Sequence, residues 1–342
     1  VQHFRLSFLV TFLCLGAAYY WGTTHEMGGI AALTLAGILS IMEVSLSFDN
    51  AVVNATVLKE MNEKWQRLFL TVGILVAVFG MRLFFPIAIV AVATGLGLGD
   101  VAQMALNNPE EYARHLTDSH VSIAAFGGMF LLLVFLGFLF DNDRALHWLG
   151  KPERILASMG KMASVNILVS LIVLAVANYF VPAEQQHTLL LSGLTGIILF
   201  VAVDSLDAFF ESEEEGEAIV NTAKRSGVMG FIYLEILDAS FSFDGVIGAF
   251  AVTQDIVIIL LGLTIGAMFV RSLTVYLVKK GTLDSYVFLE HGAHYAIGVL
   301  AFIMLASIVH PVPEVVTGLT GVAFIGLSLL SSIRYKKTGG GV

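Results

Sequence analysis

Apolar residues along this chain come in runs too long for ordinary soluble helices, broken by short polar segments. A helix of about 20 predominantly apolar residues crosses the hydrocarbon core of a bilayer. The runs predict ten such spans, at roughly 5–22, 28–57, 68–95, 121–140, 163–182, 188–209, 228–253, 255–278, 291–310 and 315–333. They are continuous and lack period-2 alternation, which argues against a strand barrel. The first run has a single flanking cation, Arg5, and further long apolar runs behind it, so it is expected to be a span and not a cleaved leader. The expected fold class is an all-α polytopic membrane protein, with 1–342 forming a single transmembrane domain.

Composition agrees. Hydrophobic residues make up 57% of the chain and charged ones 13%, at a mean hydropathy of +0.86, whereas a soluble domain carries about 25% charged residues. The cations set the expected orientation. With the N-terminus inside, fifteen of the 18 Lys and Arg residues fall in cytoplasmic segments and only Arg114 falls outside; Arg82 and Arg271 lie within spans. Both termini are therefore expected in the cytoplasm, in a cell (inner or plasma) membrane. The net charge of −9 offers no basic surface for nucleic acid. The single cysteine, Cys14, excludes an intramolecular disulfide and a CxxC redox site. The expected partners are the lipid bilayer and a small ion, and a homo-oligomer stays an open option.

One stretch breaks the apolar pattern. EVSLSFDNAVV (43–53) has a counterpart in DASFSFDGVIG (238–248): Glu43 aligns with Asp238, Ser45 with Ser240, Ser47 with Ser242 and Asp49 with Asp244. Downstream of each copy a glycine precedes an intramembrane arginine by nine residues, Gly73 before Arg82 and Gly262 before Arg271. An odd number of crossings separates the copies, which predicts an inverted repeat, 28–142 against 228–310. Residues 143–227 supply connecting spans and an acidic cytoplasmic loop. Inverted repeats around a polar midplane site are a secondary-transporter signature.

An acid near a membrane helix centre costs ~2.5–3.5 kcal/mol. The five deep acids Glu43, Asp49, Glu235, Asp238 and Asp244 thus represent a gross cost on the order of 15 kcal/mol, as large as the stability of an ordinary domain. Packing alone is a weak reason to keep such a set, although any single serine more often bonds its own helix backbone. At 100° per residue Glu43, Ser47, Asn50 and Asn54 share one face, with Ser45 and Asp49 roughly 120° away. Glu235, Asp238 and Ser242 share a face in the second copy, with Ser240 and Asp244 on another. Either the helices break near the motif, which Gly245 would ease, or two neighbouring sites exist. The set is all oxygen, suited to Mn²⁺, Ca²⁺ or Mg²⁺ more than to Cu⁺ or Zn²⁺; a monovalent cation or protons also fit buried carboxylates.

The first motif resembles the acidic Ser-x-Asp-Asn motif of the TerC family, membrane proteins first named for tellurium resistance. DASFSFDGVIGAFAVT is similar to that family's second acidic motif, and the paired arginine spans extend the likeness over roughly 30–280. The resemblance implies metal-ion homeostasis, mostly manganese export, including supply of metal to exported enzymes. It implies ion ligation by Glu43, Asp49, Asn50, Asp238 and Asp244. This chain departs from symmetry in having Gly245 where the first copy has Asn50.

Secondary candidates surround this set. Ser45, Ser47, Asn54, Glu235, Ser240 and Ser242 could ligate or line the pathway. Arg82 and Arg271 could pair with the carboxylates of an empty site and be displaced by an incoming cation or proton, or else pair with carbonyls at a helix crossing. In VDSLDAFFESEEEGE (203–217), Asp204 and Asp207 could gather cations, while the glutamates that follow read equally well as a solvated loop. His291 and His294 could bind metal or sense pH, but two interfacial histidines are more often plain interface residues. Asp141, Asn142 and Asp143 read as helix-end chemistry. The function expected is divalent-cation transport, with Mn²⁺ export by alternating access, proton-coupled through the excess of acids. The alternatives are a Ca²⁺ or other cation–proton exchanger, a coupled carrier of a small organic solute, and a membrane metal sensor or metalation partner. An enzyme is not expected, since HExxH, GxSxG and phosphate-loop patterns are missing.

Overall fold

The computed structural model describes residues 4–25, 27–142, 144–162, 164–214, 227–281 and 285–338. The side chains of Asp49, Asp207 and Asp244 lie outside the described residues, as do Asp143 and residues 215–226. Among the described residues there is no strand, and the protein is an all-α polytopic membrane protein. The described residues form, in order, the helices α1 Arg5–Thr24, α2 Gly29–Leu46, α3 Phe48–Glu60, α4 Glu63–Leu75, α5 Phe85–Thr94, α6 Leu98–Asn107, α7 Pro109–Asp118, α8 His120–Leu139, α9 Lys151–Met159, α10 Val165–Phe180, α11 Ala183–Glu214, α12 Gly227–Val252, α13 Ile256–Lys279, α14 Leu289–Ser307 and α15 Glu314–Lys337. A π-helix, Val76–Phe84, joins α4 to α5.

Seven of the described helices are long and apolar enough to cross a membrane, and an eighth span arises if α4 and the segment after it, bent by 46°, count as one. The two other expected spans fall short for physical reasons. The helix α10 has only 16 residues, and α12, at 26 residues, carries Glu235, Asp238 and Asp244.

The chain packs as two compact units, Val1–His120 with Phe231–Gly281 and Val121–Gly230 with Thr282–Val342. Each expected repeat is divided the same way, its leading helices in the first unit and its closing helix in the second. In the first unit, the buried positions of α2 (Gly29, Ala32, Ala36, Leu39 and Glu43) recur every three or four residues and form one face. That face meets α13 at Gly262 and Gly266. A Cβ at Gly262 would lie 2.6 Å from the Leu39 Cβ and 3.0 Å from the Ala36 carbonyl oxygen, so glycine permits the backbone approach that membrane helices use in place of a hydrophobic driving force.

Polar contacts fasten α1 to this pair. The Ser7 hydroxyl donates to the Met268 carbonyl at 2.7 Å and bonds the Ser272 hydroxyl at 2.6 Å. Asp255 caps α13 by accepting from the Val257 and Ile258 amides at 2.9 and 3.1 Å, and its other oxygen accepts from the Trp21 indole at 2.9 Å. Leu58, Met61, Phe69 and Leu234 form one cluster, which draws α12 against the end of α3 and the middle of α4. In the second unit α8 is buried along most of its length; Gly128 faces Leu305, and Gly196 faces the Phe126 carbonyl.

Candidate functional site

The two motif copies differ locally. The helix α2 stops at Leu46 and α3 starts at Phe48, with Ser47 between them at φ −103° and ψ 17°. Amide bonds from Ser47 to the Glu43 carbonyl (2.9 Å) and from Ala51 to the Ser47 carbonyl (3.4 Å) cross this joint, so the ladder continues through it. The second copy lies inside the continuous α12, with no break at Gly245. Gly245 matters sterically instead: a Cβ there would come within 2.7 Å of Glu43 Oε2.

Glu43, Ser47, Asn50 and Asn54 are all buried, whereas Ser45 is exposed and donates to the Ile41 carbonyl at 2.8 Å. Glu43 is only 1% exposed and forms an ion pair with Arg82 through Nη2; the Ser47 hydroxyl donates to the same oxygen at 3.1 Å. Arg82 rides on the π-helix, and its Nη1 donates back to the Ala77 carbonyl at 2.6 Å. Its Nε is buried without a hydrogen-bond partner among the described residues. Glycines fix the carboxylate from the other side, since a Cβ at Gly266 would overlap the Cβ and Cγ of Glu43.

On α12, Glu235 is 8% exposed and Asp238 is partly buried. Both oxygens of Glu235 and the Oδ2 of Asp238 are buried without a hydrogen-bond partner among the described residues. Asp238 lies within electrostatic reach of Arg82, Glu43 and Arg271, and Glu235 within reach of Asp238 and Arg271. Arg271 donates to the Phe69 carbonyl, with its guanidinium 5.3 Å from the centre of the Phe69 ring. Opposite Glu235, Gly73 leaves room for the carboxylate, for a Cβ there would sit 2.8 Å from Oε1.

These groups meet at one cavity of about 30 Å³, bordered by Ser47, Asn54, Arg82, Glu235, Asp238, Arg271 and Thr274. That volume accommodates a water-sized occupant. Its described charged walls are two acids and two arginines, with Glu43 reached through Arg82. Among the described residues, no three His, Cys, Asp or Glu side chains assemble into a metal-holding group. The described side chains thus bring Glu43, Ser47, Asn54, Glu235, Asp238, Arg82 and Arg271 into one neighbourhood.

Other candidates fall elsewhere. Ser240 is buried but donates to the Ile236 carbonyl of its own helix at 2.9 Å, whereas the buried Ser242 lies beside Asp238. Asp204 is exposed on α11. In the second unit His291 Nε2 contacts the Leu146 carbonyl at 3.1 Å and sits 3.5 Å from Glu153, while His294 stacks on Phe138 at 4.1 Å. The fully buried Glu153 is held by Arg144 and by the Leu149 amide, each at 2.9 Å. Sequence reasoning missed Glu153, whose helix reads as a polar connector. It also missed Gly266 as the wall behind Glu43, though its spacing of four from Gly262 is the small-xxx-small pattern of membrane helix crossings.

Neither a curated protein nor a solved structure matches the chain. Residues 48–339 match a family described as a protein of unknown function, DUF475, and the chain belongs to that family.

Proposed function

We propose that this family member carries divalent metal cations across a cell membrane, with Mn²⁺ as its first substrate and Ca²⁺ and Mg²⁺ as competitors. The observation that carries the reading is the state of α12: three buried carboxylate oxygens, two on Glu235 and one on Asp238, border a cavity without a hydrogen-bond partner among the described residues. A buried polar group left unpaired costs several-fold more than a hydrogen bond contributes, so such oxygens are suited to a ligand that arrives and leaves. The donor set is oxygen throughout, as hard divalent cations prefer. The TerC-like motifs extend it to Asp49, Asn50 and Asp244.

In the proposed cycle the cation enters from the cytoplasm, where the Lys and Arg distribution puts both termini. It is bound by acids of both motif copies, and relative movement of the two copies turns the site outward. Protonation of the carboxylates then assists release.

The test is flux in proteoliposomes. Wild-type protein is expected to move Mn²⁺, with Ca²⁺ competing, and Asp49→Asn, Asp244→Asn and Asp238→Asn are expected to stop it. A wild type that binds Mn²⁺ without moving it would make the protein a membrane metal sensor or metalation partner. Metal flux with no accompanying pH change would remove the proton step alone.

A further inference from the structure

Glu43 is closely packed. Its Cβ and Cγ lie against Gly266, its Oε2 lies against Gly245, and the Ser47 hydroxyl donates to its Oε1. The cation that meets it in this structure is Arg82.

Arg82 holds on loosely for a buried arginine. A buried ion pair stabilises only when its remaining donors are satisfied, and the strong form is a two-pronged fork. Here one prong reaches Glu43, the other turns back to the Ala77 carbonyl, and Nε finds no partner among the described residues. The segment beneath it is a nine-residue π-helix, a geometry found mostly as single-turn bulges, frequently at functional sites. Reverting one π-turn to α-geometry shifts the register by a residue, a rotation of roughly 100°.

A second address is already in place. Arg82 borders the cavity that Glu235 and Asp238 line, and both Glu235 oxygens and the Oδ2 of Asp238 lack hydrogen-bond partners among the described residues. One guanidinium therefore faces two sets of acids, one hydrogen-bonded to it and one that keeps three oxygens without a donor among the described residues though Arg271 is within electrostatic reach, which is the arrangement of a bistable element.

We infer that Arg82 is a resident, tethered cation that competes with the transported metal for Glu43. It moves to the Glu235–Asp238 pair when the metal takes its place, carried by rearrangement of the π-helix. This rests on the cation-transport reading and adds its selectivity step. The protein's own charge fills the carboxylate between cargoes, and only a cation that binds Glu43 better than a guanidinium can displace it.

The experiment is Mn²⁺ binding, measured by titration calorimetry on the purified full chain in detergent, with no flux involved. Arg82→Gln is expected to bind Mn²⁺ about tenfold more tightly than wild type, and the double variant Arg82→Gln/Glu43→Gln to lose that gain. Arg82→Lys keeps the charge without the fork and is expected to tighten binding about threefold, which decides the matter if the Gln variant does not fold. Unchanged or weaker binding in a folded Arg82 variant overturns the switch, as does a gain that survives loss of Glu43. If wild type binds no Mn²⁺, binding that appears in Arg82→Gln supports it, and none in either overturns it. A wild type that binds but fails to transport ends the transport reading and leaves this one to the sign of the Arg82 effect.

Discussion

The two motif copies are alike in sequence and differ in the hydrogen bonds their described acids make. In the first, Glu43 sits one turn before a joint at Ser47, is sealed from solvent, and has both an arginine and a hydroxyl on one oxygen. In the second, Asp238 and Glu235 lie on an unbroken helix, and both Glu235 oxygens and the Oδ2 of Asp238 find no donor among the described residues. Neighbours supplied by other helices make the difference. Glu43 is met by Gly266 of α13, Gly245 of α12 and Arg82 of the π-helix, whereas Glu235 packs against Gly73 of α4 with neither oxygen hydrogen-bonded among the described residues. A repeated motif thus specifies which chemistry is available, while the packing around each copy decides which groups are already committed.

The sharpest way to break this comparison is to neutralise each acid in turn. Removing one partner of a buried ion pair costs about 3–5 kcal/mol because the other charge is stranded. Glu43→Gln should therefore lower stability by that amount, read as the thermal unfolding midpoint in detergent. Glu235→Gln removes a charge with no hydrogen-bonded partner, so its midpoint should stay level or rise. Equal losses in the two variants would end the claim that the copies differ in commitment.

Smaller effects sharpen the steric half. Gly266→Ala drives a methyl into the Glu43 side chain, which both helices hold in place, at an expected cost of about 1–3 kcal/mol. Gly73→Ala brings a methyl to 2.8 Å from Glu235 Oε1 and 3.3 Å from the Phe69 ring, the far end of one side chain and the edge of another, and should cost under about 1 kcal/mol. Thermal midpoints of the two alanine variants, compared side by side, check the order; a reversal would mean that Glu235 is the more rigid acid.

The serines give the finest test. Ser47 donates to a buried carboxylate, so Ser47→Ala should cost about 1 kcal/mol or somewhat more. Ser45 and Ser240 donate to carbonyls of their own helices, so their alanine variants should fall within about 0.5 kcal/mol of wild type. The same unfolding assay decides, and a large loss at Ser240 would give the second copy a fixed hydroxyl after all.

The sequence by itself determined the helical membrane class, because a bilayer demands long apolar runs and closes backbone hydrogen bonds within each helix. It also determined the polar face of Glu43, Ser47, Asn50 and Asn54, since helical periodicity is a local property, and all four are buried. It located Arg82 and Arg271 beside the acids through the repeated glycine-to-arginine spacing. The span count was less legible: length and apolarity cannot show that the segment around Arg82 winds as a π-helix or that α10 stops at 16 residues. Only the tertiary structure decided that Arg82 takes Glu43, that Gly245 serves close approach and not a helix break, and that Glu235 is left without a hydrogen-bond donor among the described residues. The physical reason is that pairing and desolvation depend on groups brought together from positions as distant as 43, 82, 245 and 266. No local pattern encodes which of several available partners the packing will place within reach.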